Sequence, residues 1–155
     1  VMCGVLSGAA LALPADFSKF KISAVRLLSR ILPRFATDLG LPADGLSRDP
    51  EVGRVYEADP LVNTNITLSL AAQMFAAQGD PACSGARVEV PVLGLHGADD
   101  PICAPAGTES FLSQVTTPHS SCALYPELRH EIFNEPEHEQ VWKDVLAFVK
   151  RVEEA

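Results

Sequence analysis

Two nearly continuous apolar runs, residues 1–11 and residues 90–95, constrain the fold more than any other feature of this 155-residue chain. Neither run contains a charged residue, and neither alternates apolar with polar residues as a strand with one face in water does. Strands that are apolar on both faces are typical of parallel sheets covered by helices. The two runs therefore predict two buried parallel strands, and residues 121–125 predict a third, shorter one.

Helical signals separate these predicted strands. Asp49, Pro50 and Glu51 are typical of a helix start, with a capping acid, proline at the first position and a second acid in the first turn, and this helix is predicted to end near Ala58. The other predicted helices cover residues 18–35, residues 65–78 with Asn65 as cap and Gly79 as stop, residues 105–115 and residues 137–152, with Val141, Val145, Phe148 and Val152 of the last one facing inward.

The alternation of strands and helices predicts an α/β fold with a parallel sheet of about three strands. Residues 16–85 are predicted to be helical and free of strands, as a cap inserted into such a sheet would be. The chain then divides into a core strand over residues 1–15, a helical cap over residues 16–85 and a C-terminal core over residues 86–155.

Charge and composition exclude several classes of function. Lysine and arginine total 12 against 20 acidic residues, a net charge of −8, whereas nucleic-acid binding needs a cationic surface. The apolar stretch of residues 1–15 is shorter than the ~20 residues of a membrane-spanning helix. The four cysteines show no metal-ligand spacing and are expected to be reduced thiols. We therefore expect no metal site and a cytoplasmic location.

Polar residues follow two of the predicted strands at the point where each strand ends. His96, Asp99 and Asp100 follow the second strand, and His130 follows the third. Because the carboxyl ends of neighbouring parallel strands meet at one edge of a sheet, an acid and a histidine can meet there. An acid followed in sequence by a histidine supplies two members of a nucleophile–histidine–acid triad.

Residues 91–100 (PVLGLHGADD) and 125–135 (YPELRHEIFNE) resemble the α/β-hydrolase family. Within it they are most similar to the monoacylglycerol lipase and lysophospholipase branch, also described as serine-aminopeptidase-like hydrolases. Residues 5–11 resemble the strand that follows the nucleophile helix of that branch, and residues 46–61 resemble its cap. The resemblance implies a serine ester hydrolase that acts through an acyl-enzyme on monoacylglycerols or related lysolipids, small-molecule lipid esters. It implies no metal and no organic cofactor.

The resemblance also implies roles for individual residues. Asp100 matches the catalytic acid, with its neighbour Asp99 as the alternative, and His130 matches the catalytic base. Tyr56 matches a cap tyrosine that faces the substrate's polar head, although plain packing in the cap explains it equally well. His96 is interpreted as a packing or loop-anchoring residue at the end of its strand.

No serine of the chain has glycine both two residues before and two residues after it, so the G-x-S-x-G elbow of the family is absent. The resemblance places that elbow and the oxyanion hole upstream of residues 5–11. We therefore expect a C-terminal portion of a hydrolase that needs its N-terminal half and is inactive alone. The alternatives are a carboxylesterase, a dehalogenase, an epoxide hydrolase or an amidase, and, from another class, a non-catalytic degenerate half-domain.

One segment of the predicted cap is strongly basic. Residues 17–34 contain no acid and five basic residues: Lys19, Lys21, Arg26, Arg30 and Arg34. Arg26, Arg30 and Arg34 recur every four residues and predict one ridge of a helix beside its apolar face. Basic amphipathic helices bind membrane interfaces, so peripheral membrane contact is one interpretation. A cap helix that packs over the sheet with its cations in water is the other.

Overall fold

The computed structural model describes residues 2–15, 17–38, 40–78 and 80–155, without the side chain of Ala82. Within these residues the strands are β1 (Gly4–Ser7), β2 (Ala36–Asp38), β3 (Asn65–Thr67), β4 (Val92–Gly97) and β5 (Ser121–Tyr125). The helices are α1 (Lys19–Leu28), α2 (Pro50–Ala58), α3 (Leu68–Ala77), α4 (Pro105–Leu112) and α5 (His138–Glu153). The expected strand start at Val1, the cap boundary at Asp16 and the helix stop at Gly79 lie outside the described residues.

The main sheet is parallel, with β4 between β1 and β5. All six residues of β4 are buried, as the apolar run over residues 90–95 predicts, and the strand extends two residues further, through His96 to Gly97. Strand β1 is shorter than predicted because Gly8, at a φ of +51°, turns the chain out of the extended conformation. Among the described residues, β1 is hydrogen-bonded to another strand on one side only, where it meets β4.

The core of the domain lies between this sheet and α5. Leu95 of β4 packs against Val141 and Phe148 of α5, and all three side chains are fully buried. Val145 and Val152 pack against the same cluster, so the predicted inward face of the last helix is confirmed. This helix supports the sheet from one face and leaves the carboxyl ends of β4 and β5 free to carry polar side chains.

The cap departs from the prediction in two places. Helix α2 has the predicted bounds, and the Asp49 side chain accepts a hydrogen bond from the Glu51 N–H. However, β2 and β3 form a small antiparallel sheet within residues that were expected to be free of strands. Residues 65–67 are therefore a strand rather than the first turn of a helix, and Thr67, not Asn65, caps α3. The pairing joins segments far apart in sequence, which local periodicity cannot show.

The predicted helix over residues 18–35 is also too long, since α1 ends at Leu28. Pro33 has no N–H to continue a helix and restricts the residue before it, and its carbonyl accepts a hydrogen bond from the Ser69 N–H. The prediction that Arg26, Arg30 and Arg34 form one ridge of a helix is therefore wrong. Arg26 lies in α1 and donates to the Phe75 carbonyl, whereas Arg30 and Arg34 lie beyond the helix end.

None of the helices in the described part of the chain is both long enough and apolar enough to cross a bilayer.

Candidate active site

Asp100 lies in the turn that follows β4, and its carboxylate is held by several groups at once. Its Oδ1 accepts hydrogen bonds from the backbone N–H groups of Ile102 and Cys103, at 2.8 and 3.0 Å. Its Oδ2 is 2.8 Å from Nδ1 of His130 and 2.9 Å from Nε2 of His96. The side chain of Asp100 is fully buried. The carboxylate therefore has one orientation, with Oδ2 turned towards two imidazoles.

His130 follows β5 in the turn that faces Asp100. Its ring is 26% exposed, and among the described residues only Nδ1 has a hydrogen-bond partner, so Nε2 faces away from Asp100 without one. The backbone of this turn is bonded to the cap: the Glu131 N–H donates to the Leu46 carbonyl at 2.7 Å. Two loops from different parts of the chain thus meet at the histidine.

The surroundings of Asp100 and His130 shift the pKa values of the two side chains in opposite directions. Burial alone would raise the pKa of Asp100, but hydrogen bonds from His130, His96 and two backbone N–H groups outweigh it and hold the pKa well below its ordinary range. The hydrogen bond with Asp100 raises the pKa of His130 above its ordinary value, against the opposing effect of burial, and the charge of Glu131 adds to the rise. Asp100 is therefore ionised at neutral pH beside a histidine that binds a proton readily.

Glycines at two positions let the backbone approach this pair. A Cβ on Gly8 would lie 2.8 Å from the His130 carbonyl oxygen and 3.2 Å from its Nδ1. A Cβ on Gly97 would overlap the carbonyl oxygens of Leu128 and Arg129. The end of β1 and the end of β4 thus fix the histidine turn from two sides, and neither position has room for a side chain.

Glu135 is a site residue that was not among the candidates predicted from the sequence. Its side chain is fully buried, and its Oε1 accepts from the Arg129 N–H at 2.6 Å, next to His130. Its Oε2 accepts from the Arg48 N–H at 3.0 Å and forms an ion pair with the Arg48 guanidinium at 3.2 Å. Glu135 therefore ties residues 47–48, at the base of the cap, to the histidine turn. Local patterns in the sequence carry no signal for its contact with Arg48, because the two residues lie 87 positions apart.

The remaining sequence candidates lie outside this pair. Asp99 is exposed, whereas its neighbour Asp100 is buried against His130. Tyr56 is half-buried in α2, and no hydrogen bond connects it to the pair within the described residues. Cys103 is buried, and burial together with the charge of Asp100 raises the pKa of its thiol to about 11, so the thiol stays protonated at neutral pH.

His96 was predicted to be a packing residue, and its side chain is indeed fully buried at the end of β4. However, both of its ring nitrogens face polar groups. Nε2 is 2.9 Å from Asp100 Oδ2 and 3.1 Å from the Cys103 carbonyl, and Nδ1 is 2.7 Å from the Thr108 hydroxyl. The four-residue spacing of His96 and Asp100 was the available signal for this contact.

No group of three or more metal-ligating side chains occurs in the part of the chain that the structure describes. The four cysteines are free thiols. Chemically, the site consists of a buried, ionised carboxylate and the imidazole that it orients, with the second nitrogen of the imidazole facing outward. Such a pair is the acid–base half of a nucleophilic triad.

Comparisons with known proteins identify the family of this chain. The family model described as serine aminopeptidase, S33, matches residues 1–137. A monoacylglycerol lipase of Mycolicibacterium smegmatis is 31% identical over 146 residues, which cover 94% of this chain and 52% of the relative. A phospholipase of Bacillus subtilis is 26% identical over 145 residues, covering 93% of this chain and 56% of that protein.

The crystal structure of the Paleococcus ferrophilus monoacylglycerol lipase superposes with a TM-score of 0.90 at 27% identity, covering 98% of this chain and 60% of that one. The chain thus spans roughly half the length of the relatives that it matches. Because the family model covers most of the 155 residues and the fold matches over nearly all of them, the chain belongs to the serine aminopeptidase S33 family of α/β-hydrolases.

Proposed function

We propose that this chain carries the acid and the base of a serine ester hydrolase, with Asp100 as the acid and His130 as the base. The observation that carries the proposal is the 2.8 Å contact between Asp100 Oδ2 and His130 Nδ1, in a histidine whose Nε2 faces outward. A catalytic histidine needs this arrangement, because Nδ1 must donate to the acid while Nε2 accepts the proton of the nucleophile. The exposed Asp99 offers no such contact.

The proposed reaction proceeds in two stages. His130 Nε2 takes the proton of a serine hydroxyl as the serine oxygen attacks the ester carbonyl, and Asp100 stabilises the imidazolium. The imidazolium gives this proton to the departing alcohol, which leaves the acyl group on the serine. A water molecule then attacks the acyl-enzyme with His130 again as base, and the fatty acid and the free serine are released.

The serine belongs to the part of the protein that these residues do not include. Support comes from the sequence, which holds no G-x-S-x-G elbow, and from relatives that are about twice as long. The single-sided pairing of β1 also supports it, since a further strand can be added at its open edge. We infer that an N-terminal half supplies the nucleophile and the oxyanion hole.

Monoacylglycerols are the substrates that the comparisons favour, because relatives in two organisms bear that activity in their names. Lysophospholipids are the second candidate, on the strength of the Bacillus phospholipase. The cap supports a lipid substrate in either case. Between α1, β2–β3 and α3 lies an open cavity of about 280 Å³ with a mostly apolar lining, which includes Phe17, Leu28, Ile66 and Phe75; neither Asp100 nor His130 lines it.

Hydrolysis of monoacylglycerol tests the proposal. When residues 1–155 are joined to the upstream segment of the complete protein, we expect fatty-acid release and covalent labelling of one serine by a fluorophosphonate. The 155 residues alone should show neither activity nor labelling. Fatty-acid release by the purified 155 residues alone would place the nucleophile inside this sequence. An aspartate in the position of the serine would indicate a dehalogenase or epoxide hydrolase instead, and cleavage of amides alone would indicate an amidase.

The cap also supports peripheral contact with a membrane, through residues 19–35. The structure leaves large apolar side chains of this segment in water: Phe20 is 81% exposed and Ile31 is 70% exposed. The neighbouring Lys19, Arg30 and Arg34 are exposed as well. Apolar side chains beside cations are suited to an anionic lipid surface.

Replacing Arg30 and Arg34 together with glutamine should weaken binding of the complete protein to anionic vesicles. Each basic residue near such a surface contributes about 1 kcal/mol, so two should cost about 30-fold in affinity, less at high salt. Vesicle sedimentation measures the effect. The matched control removes two exposed cations at the end of α5, Lys150 and Arg151, and should bind like the parent. Equal binding by both double variants would leave the cations of the cap without a role at the membrane.

A further inference from the structure

The buried imidazole of His96 contacts the same carboxylate oxygen as the catalytic histidine. Asp100 Oδ2 lies 2.8 Å from His130 Nδ1 and 2.9 Å from His96 Nε2. The acid–base pair needs only the first of these contacts. A fully buried histidine on the far side of the acid therefore calls for an explanation beyond packing.

The surroundings of His96 determine which of its two ring nitrogens carries the hydrogen. Its Nε2 lies within hydrogen-bond distance of two acceptors, the Asp100 carboxylate and the Cys103 carbonyl, so Nε2 carries the hydrogen. Its Nδ1 is 2.7 Å from the hydroxyl of Thr108, which is itself fully buried. The Thr108 hydroxyl can donate to Nδ1 only if His96 is neutral, and this arrangement satisfies every polar atom without burying a net positive charge.

We propose that His96 is a positioning residue that acts through Asp100: its Nε2–H holds Oδ2 in place and limits how strongly that oxygen attracts the proton of His130. The inference rests on the proposed function of Asp100 and His130. An oxygen that accepts two hydrogen bonds shares its charge between them, so each donor is bound less strongly than it would be alone. Thr108 contributes by keeping Nδ1 of His96 an acceptor.

Within the described residues, few other titratable groups face the contacts that join Thr108, His96, Asp100 and His130. Asp100 and Glu131 are the charges that act on His130, and the two imidazoles and the Cys103 thiol are the groups that face Asp100. Helix α4 contributes the uncharged hydroxyl of Thr108. A change in the proton affinity of His130 after substitution of His96 therefore has to pass through Asp100.

Two substitutions of His96 separate its donor from its bulk. In the complete protein, His96→Leu removes the N–H, whereas His96→Gln can place an amide N–H near the position of Nε2. We expect His96→Leu to lower kcat by about 10- to 100-fold, the range for a lost hydrogen bond to a charged group, with little change in KM. Because Oδ2 then accepts from His130 alone, it should attract the proton of His130 more strongly. The fall of kcat/KM on the acidic side of its pH profile, the acid limb, should therefore move to higher pH. His96→Gln should restore both the rate and the position of the limb.

Thr108→Val provides a milder variant in case the leucine variant does not fold. It leaves His96 in place and removes only the hydroxyl, so its rate and its acid limb should lie between those of the parent and those expected for His96→Leu. An acid limb that stays in place in the leucine or valine variant would overturn the proposal, as would one that moves to lower pH. A glutamine variant no better than the leucine variant would do the same.

Histidine nitrogen NMR spectra of the complete protein test the inference without relying on turnover. His96 should appear as the neutral form with its hydrogen on Nε2, and Thr108→Val should loosen that preference. A hydrogen on Nδ1 in the parent protein would overturn the inference. Absence of ester hydrolysis in a protein with the expected His96 spectrum would instead refute the proposed function, so the two failures are distinguishable.

Discussion

Replacing His130 with alanine in the complete protein is expected to lower ester turnover by about 10⁶-fold, the loss found when the histidine of a serine triad is removed. Without Nε2 there is no group to take the serine proton, and the Asp100 carboxylate keeps only its other donors. The ring is 26% exposed, so its removal leaves no large buried cavity and the fold should be retained. Turnover of a p-nitrophenyl ester and thermal unfolding together measure the two effects.

His119 offers a matched control. It is exposed, and its φ of +66° is a left-handed conformation that asparagine tolerates, so His119→Asn should leave turnover unchanged. If His130→Ala reduced turnover by less than about 100-fold, the lower end expected of a general base, His130 would not be the base. An equal loss in both variants would point to general damage rather than to a role for either histidine.

The pH dependence of the parent protein follows from the same contact. His130 acts as a base only when neutral, and its hydrogen bond with Asp100 raises its pKa above the ordinary 6.5. On lowering the pH, kcat/KM should therefore begin to fall at a higher pH than an unperturbed histidine would give. The ion pair between the protonated ring and Asp100 stabilises the fold below the ordinary pKa, and that stabilisation is lost as the pH rises through the raised one.

Local patterns in the sequence were sufficient for the central part of the fold. Strand β4 begins within a run of apolar residues, α2 begins with a capping acid and a proline, and α5 places valine and phenylalanine on one face. Each of these signals lies within a few residues of the element that it specifies. The prediction failed where an element depends on a distant partner, as β2 and β3 do, since neither three-residue strand has a pattern of its own.

The candidate site divides in the same way. Asp100 and His130 each follow a predicted strand, so the sheet topology was enough to bring them to one edge. Apart from His96, four residues before Asp100, the groups that hold them were not predictable, because their contacts form between separate segments. Glu135 reaches Arg48 across 87 positions, and Thr108 meets His96 only because α4 packs on β4. Sequence patterns therefore identified the reacting side chains but not the contacts that orient them.

The second large effect is expected for Asp100→Asn, which should lower turnover of the complete protein by up to ~10⁴-fold. The backbone N–H groups of Ile102 and Cys103 both donate to Oδ1, so the amide oxygen of asparagine has to occupy that position. The amide nitrogen then takes the place of Oδ2 and donates towards Nδ1 of His130. This forces the hydrogen of His130 onto Nε2, where the serine proton should be accepted, and the histidine can no longer act as a base.

Asp99→Asn is the matched control for this prediction, because it makes the same chemical change one residue earlier at an exposed position. Its turnover should stay close to that of the parent, measured with the same p-nitrophenyl ester. The acid limbs should differ as well: loss of the Asp100 charge removes the main cause of the raised pKa of His130, so any residual activity of Asp100→Asn should extend to lower pH. A larger loss in Asp99→Asn than in Asp100→Asn would assign the acid to Asp99, and the 2.8 Å contact between Asp100 and His130 would then have to be structural rather than catalytic.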